Sequence, residues 1–376
     1  MKKKELLFIF AICLIIFTPF FVRPSFIGAD SYYYVNHICF RDTIFSEPFI
    51  ETFLFDLFPC NFFVLKIVMF FCFFVSMLLM ALIVEDFFKE KGWLSVFFVY
   101  GLSPILFFLV FKLENDFIGY TLLVLSILFY FKSIKHKYDK KFFIYTAISL
   151  IVLYISAQIS AINYFFLYVG AVNNPIFLLS LIIGITTTQG TALTQLIPYF
   201  GVAEMFPLLG LTTIFLLFLA WIKPLHKKEM FVATILATLQ GRFIFLIPII
   251  YAPSLMSSLD YLNSKKKVNV YLFVGIYAIV GILAFSILTL DYFPEQNTFD
   301  IVLESISLAE DNNLLLYNDW EIGYLIRNQK YYTTYRGSPP NPDYNNLEKP
   351  FLALTKQKSE CEKIFYSNNY TLVYCK

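Results

Sequence analysis

The chain has 376 residues, of which 59% are hydrophobic and only 15% charged, with 46 phenylalanines and a mean hydropathy of +0.68. So little charge beside so much apolar surface excludes an ordinary soluble domain. The net charge of +2 carries little by itself; what matters is where the charges fall. Repeated apolar runs separated by short polar breaks predict a polytopic α-helical membrane protein.

In chain order, the first run (6–22) follows three lysines and resembles a secretory signal. No small-x-small cleavage site follows it, so it reads as the first membrane helix, 5–22. Further spans are predicted at 61–84, 93–111, 117–131, 142–157, 160–172, 175–189, 205–222, 229–241, 243–260 and 269–290, about eleven transmembrane helices in all. Several fall short of the roughly 20 residues that an untilted span needs, above all within 158–204. Alternate connections hold Lys2–Lys4, Lys89, Lys91, Lys132, Lys135, Lys137, Lys140, Lys141, Lys223, Lys227, Lys228 and Lys265–Lys267. The positive-inside rule makes that face cytoplasmic, with the N-terminus inside and the polar tail outside. The expected division is a transmembrane domain, 1–290, and a small extracytoplasmic domain, 291–376. The lysines read as topology and contact with membrane lipids, and not as nucleic-acid binding.

All five arginines (Arg23, Arg41, Arg242, Arg327 and Arg336) fall on the outer side. Lysines already meet the topological need. A guanidinium offers a planar fork of donors for carboxylate or phosphate, and pairing with local acids is the simpler alternative.

Acids collect on the same side. Asp30, in "FIGADSYYYVNH", opens the first outer loop; Glu114 and Asp116 share the short outer turn "FKLENDFIG". Glu204, in "GVAEMFPLLG", stands where the long segment from Gln189 re-enters the bilayer, and Arg242, in "LQGRFIFLIP", stands at an outer hinge. Carboxylates gathered at one membrane rim repel unless something compensates them. A divalent cation, Mg²⁺ or Mn²⁺, does so through oxygen ligands. An arginine beside such a site suits a phosphate leaving group. Individually the residues admit plainer readings. Glu114 and Asp116 suit a solvated turn, and Asp30 suits the N-cap of an interfacial helix.

After residue 291 the composition changes. The pattern predicts helix 299–310, strand 314–318, helix 320–329, strand 330–335, a Pro-rich loop over 337–344, strand 351–354, helix 357–367 and strand 370–375, a small α/β domain. Asn318, Asp319 and Trp320 fall where a strand ends and a helix begins, a common ligand position in open α/β sheets. Trp320 suits either stacking on a ligand or packing helix on sheet. Cys13 and Cys72 lie in apolar runs; Cys39 with Cys60, and Cys361 with Cys375, form two outer pairs able to give disulfides. His37, His136 and His226 are scattered, with no zinc-ligand spacing. Asn369-Tyr370-Thr371 is an outer glycosylation sequon.

In order, these motifs resemble the GT-C superfamily of integral-membrane glycosyltransferases, and most of all the catalytic subunit of oligosaccharyltransferase. Asp30-Ser31-Tyr32-Tyr33-Tyr34 is similar to that family's first-loop Asp motif, and Glu114-Asn115-Asp116 to its acid-x-acid motif. Val202-Ala203-Glu204 is similar to the element closing its long outer loop. Arg242 is similar to its pyrophosphate-binding arginine, and Asp319-Trp320-Glu321-Ile322-Gly323 to its acceptor-binding motif. Tyr34 replaces a motif histidine, one tryptophan of the acceptor motif is missing, and the chain is short for the family.

The resemblance implies metal-dependent transfer of a glycan or sugar from a polyprenyl (dolichyl-type) phosphate or pyrophosphate to an acceptor, first of all a protein or peptide asparagine. Asp30 and Glu204 are then catalytic, and Asp30, Glu114, Asp116 and Glu204 hold the divalent metal. Arg242 binds the donor phosphate, and Trp320, Glu321 and Asp319 bind the acceptor. Two alternatives stay open: a GT-C monosaccharide transferase acting on protein hydroxyls, lipid or glycan, and a transporter or lipid-binding membrane protein. The second sits poorly with acids at one rim and no internal repeat.

Overall fold

The computed structural model describes residues 2–23, 31, 34, 37–38, 49–103, 116–136, 138–160, 163–164, 166–180, 207–239, 246–265, 269–290, 296–319, 344, 347, 349–356, 360–367 and 370–376. The described helices are α1 (Lys3–Val22), α2 (Phe49–Asp56), α3 (Phe62–Phe88), α4 (Gly92–Leu102), α5 (Asp116–Ile134), α6 (Lys140–Ile159), α7 (Phe166–Ala171), α8 (Pro207–Trp221), α9 (Lys227–Leu239), α10 (Leu246–Lys265), α11 (Val270–Leu290) and α12 (Gln296–Asp311). Four strands follow: β1 (Leu315–Asn318), β2 (Phe351–Thr355), β3 (Glu362–Ser367) and β4 (Tyr370–Cys375).

Among the described residues, five helical stretches are long and apolar enough to cross a membrane: Lys3–Val22, Phe62–Phe88, Phe117–Ile134, Lys140–Ile159 and Val270–Ile287. Each coincides with a predicted span. Gly92–Leu102 is a shorter apolar helix. The expected span over 160–172 differs. Ser160 leaves the helical conformation, Asn163 and Tyr164 form a tight turn, and α7 has six residues, about 9 Å at 1.5 Å per residue. The cause is local polarity. The Asn163 amide donates to Ser156 Oγ over 2.8 Å, holding the chain back against α6.

The chain divides into two compact units. The first comprises Met1–Thr18, Ile67–Val110 and Asn115–Leu288; the second comprises Pro19–Lys66, Phe111–Glu114 and Thr289–Lys376.

In the first unit aromatic rings join α1 to α3. Phe17 meets Phe70 at 5.4 Å and Phe73 at 5.6 Å between ring centroids. Lipid tails are as apolar as these side chains, so close packing and interhelical hydrogen bonds must fix the geometry. Both are present. Gly101 of α4 lies against Ala278 and Gly281 of α11 so closely that a side chain at either glycine would strike the facing helix. Helices α5 and α6 pair through serines: Ser126 with Ser149, and Ser156 Oγ donating to the Gly119 carbonyl over 2.8 Å. Ser258 and Ser254 of α10 accept from the Lys223 and Leu225 amides, at 2.8 and 2.9 Å, and so pin the turn between α8 and α9.

In the second unit the sheet order is β1-β2-β4-β3, with β1 and β2 parallel and the other pairs antiparallel. Every residue of β2 is buried, as a strand covered on both faces requires. Tyr317, Phe351, Ala353, Val373 and Cys375 form a core with Tyr344 on one face. The two-residue period puts Leu316, Leu352, Leu354 and Leu372 on the other. α12 packs on the sheet and buries Ile301, Val302, Ser305 and Ala309. It stops because Asn313 adopts φ 52°, which lets the Leu314 amide reach the Ala309 carbonyl at 2.9 Å.

The tail departs from expectation at 357–367. Where a helix is predicted, 362–367 form strand β3, hairpinned onto β4. Ile364, Phe365 and Tyr366 favour a strand, and the register sets Cys361 opposite Cys375, whose Cα atoms are 4.7 Å apart in a disulfide. Cys60 is also disulfide-bonded; its expected partner Cys39 lies outside the described residues. Cys13 and Cys72 are free thiols. The expected helix 320–329 and strand 330–335 lie outside the described residues.

Candidate functional site

The segment between α1 and α3 is framed from both ends. Asn61 caps α3 by accepting from the Phe63 and Val64 amides at 3.0 and 3.2 Å. Upstream, residues 31, 34, 37 and 38 are helical and buried, at the i, i+3, i+7 spacing of one helix face. Tyr34 stacks on Phe55 of α2 with ring centroids 4.5 Å apart, and His37 Nε2 lies 3.1 Å from Asp56 Oδ1. Tyr34 and His37, shortly after Asp30, are therefore held to α2 by one ring stack and one histidine–carboxylate contact. Asp30 itself lies outside the described residues.

At the end of α1, Lys66 is almost wholly buried, its ammonium bonded to the Arg23 carbonyl and 4.9 Å above the Phe20 ring. Sequence reading passes over Lys66. The available signal is a lysine one turn inside an apolar span.

Of the other expected site residues, Asp116 is the first residue of α5. Glu114, Glu204, Arg242, Trp320 and Glu321 lie outside the described residues. Among the described residues no three His, Cys, Asp or Glu side chains group as metal ligands.

Asp319 is described, and it faces inward. It is 1% exposed at the end of β1. Its Oδ1 accepts from the Tyr344 hydroxyl and the Thr355 hydroxyl, each at 2.8 Å, and its Oδ2 accepts from the Lys356 amide at 2.7 Å. Its own amide donates to the Leu354 carbonyl at 3.1 Å, extending the β1–β2 pairing. Burial, reinforced by the neighbouring Asp319 charge, pushes the Tyr344 hydroxyl well above its ordinary range, so it remains a donor. With three donors on its two oxygens, Asp319 acts as an internal anchor at the end of β1, not as a group presented to a ligand.

The lysine-rich ends of the helices hold three further polar groups that sequence reading does not find. Glu229, 1% exposed in the first turn of α9, accepts from Asn173 and from Tyr130 at 3.4 Å, with His226 Nδ1 at 3.6 Å. His136 lies 3.1 Å from Asp139, which caps α6 by accepting from the Phe142 amide. The visible signal for both is an acid three residues after a histidine. In the third group Glu90, between α3 and α4, is hydrogen-bonded to Asp260 of α10, which also accepts from Tyr271 of α11. Burial pushes the Glu90 carboxyl up to about 7, helped by the bond to Asp260 and its charge and opposed by Lys223 and Lys91.

No protein-family model, curated protein or solved structure matches the chain.

Proposed function

We propose that the chain is a membrane glycosyltransferase, moving a glycan or sugar from a polyprenyl (pyro)phosphate donor to an acceptor at the extracytoplasmic face. A protein asparagine is the leading acceptor. The observation that carries this reading is the composition of the second unit. It joins Pro19–Lys66, Phe111–Glu114 and Thr289–Lys376, which include the first loop, the short turn and the tail that the lysine pattern assigns to the outer side, while the outer segments of Glu204 and Arg242 belong to the first unit. The Cys361–Cys375 disulfide supports an oxidising, non-cytoplasmic setting for the tail.

In this proposal Asp30 and Glu204 orient the acceptor nucleophile and take its proton as it attacks the anomeric carbon, while the bond to the phosphate oxygen breaks with inversion. Arg242 stabilises the charge that develops on the departing phosphate. Asp30, Glu114, Asp116 and Glu204 offer the oxygen ligands that Mg²⁺ or Mn²⁺ prefers, and the metal supplies electrostatic stabilisation when bound. The inward-facing Asp319 favours a second reading, the same chemistry on a hydroxyl, lipid or glycan acceptor, because that acid is not offered to a peptide.

The test is transfer by the purified full chain from a mixed polyprenyl-linked donor pool to an Asn-x-Thr peptide and to lipid acceptors. Product should form only with divalent metal, and Asp30→Ala and Glu204→Ala should abolish it while the protein still inserts. Full activity in both variants would remove those acids from the mechanism; transfer to lipid alone would select the second reading.

A further inference from the structure

The end of α5, the turn after it and the start of α6 carry five lysines and one acid over residues 132–141. That acid is engaged: Asp139 accepts from the Phe142 amide at 2.9 Å and lies 3.1 Å from His136. Lys135, Lys140 and Lys141 are exposed, and among the described residues none of the three is paired with an acid. Lysines at neighbouring helix ends differ. Lys91 and Lys223 face the Glu90 carboxyl, which borders Asp260. The α5–α6 turn is thus a patch of uncompensated positive charge.

Tyr138 stands within this patch. Its φ of 58° is left-handed, which is uncommon for a residue other than glycine, and its amide donates to the His136 carbonyl at 2.7 Å. The residue is 63% exposed, and its ring meets that of Phe142 with centroids 4.7 Å apart. An amphipathic ring beside lysines is the pattern of a membrane–water boundary. An apolar strip begins at the same point. Lys140, Ile144, Ala147, Ile151 and Tyr154 are all exposed, at alternating spacings of four and three that keep to one face of α6. α6 is long and apolar enough to cross a membrane, and an exposed face of such a helix is covered by acyl chains. The rise from Ile144 to Tyr154 is about 15 Å, half of a hydrocarbon core of roughly 30 Å. The strip therefore has the length of one leaflet, with the unpaired lysines at its headgroup end.

We propose that the α5–α6 turn and this face of α6 bind one anionic phospholipid. Its phosphate lies against Lys135, Lys140 and Lys141, Tyr138 marks the boundary of headgroup and chain, and an acyl chain follows Ile144, Ala147 and Ile151. Charge selects the headgroup, and the strip selects a lipid over a free phosphate. Occupancy of this site does not depend on the reaction proposed above.

The test offers the purified, delipidated full chain equal amounts of phosphatidylglycerol and phosphatidylcholine with identical acyl chains, and counts bound lipid by native mass spectrometry. The anionic lipid should be retained about fivefold over the zwitterion. Lys135→Gln, Lys140→Gln and Lys141→Gln together should erase that preference, and Tyr138→Ser should reduce it about twofold. Lys91→Gln with Lys223→Gln also removes positive charge from a lysine-rich end and should leave the preference as in the parent. Ala147→Trp fills the strip, keeps every lysine and should lower binding of both lipids. Inorganic phosphate in about a thousandfold excess should leave bound lipid unchanged. Every substituted residue is exposed, so elution and far-UV spectra should match the parent's. No preference in the parent, a preference that survives the triple variant, or an equal loss in the Lys91–Lys223 variant would overturn the site. Displacement by inorganic phosphate, or unchanged binding in Ala147→Trp, would overturn a lipid as its occupant.

Discussion

Ser126 and Ser149 bond each other reciprocally: each hydroxyl donates to the other's backbone carbonyl, over 2.9 and 2.8 Å, and the two oxygens are 3.1 Å apart. This exchange locks α5 against α6 where neither helix gains from hydrophobic burial. Interhelical hydrogen bonds in membranes contribute about 0.6 kcal/mol each. Ser126→Ala and Ser149→Ala should therefore each cost roughly 0.5–1.5 kcal/mol, and the double variant less than the sum. Steric-trap or denaturant unfolding in a double-mutant cycle measures the coupling; full additivity would mean the hydroxyls act independently.

Gly101 and Gly281 leave no room for a methyl group. Gly101→Ala should push α4 from α11 and destabilise the first unit by about 1–3 kcal/mol, the usual cost of overpacking. Gly275, with only ordinary contacts to Phe97 and Phe98 at 3.8–3.9 Å, should accept alanine with a far smaller change. Comparing the two melting temperatures in one detergent checks this.

Glu90 has a folded-state pKa of about 7 against an ordinary 4.5, so its protonated form is the one the fold favours. The sign follows: its stabilising contribution is complete below about pH 4.5 and is lost as pH rises through about 7. Glu90→Gln keeps a donor for Asp260 and should flatten that part of the profile. Thermal unfolding between roughly pH 4 and 8.5 reads it, and a parent profile rising with pH in that window would contradict the assignment.

Cys361→Ser should cost the tail about 3 kcal/mol, the loop-closure value for bridging residues 14 apart. Reductant should cost the parent chain at least as much, because the Cys60 disulfide is reduced as well, and Cys375→Ser should match Cys361→Ser.

The long helices were legible because apolar runs of about 18 residues have few other fates. The 160–172 stretch was not, because Asn163, Asn173 and Asn174 spend their polarity on bonds to neighbouring helices that no local window shows. At 362–367 Glu and Lys masked a strand whose partner lies eight residues on, and the cysteine pairing held the missing register. Asp319 was legible as a residue of interest at a strand end. Its inward orientation depends on Tyr344 and Thr355, 25 and 36 residues away.

Strand β4 lies between β2 and β3, although it is made last of the four. The sheet therefore stays in two pieces until strand 370–375 has been made to join them. A stop codon at the start of 370–375 would strand β3 with nothing to zip onto.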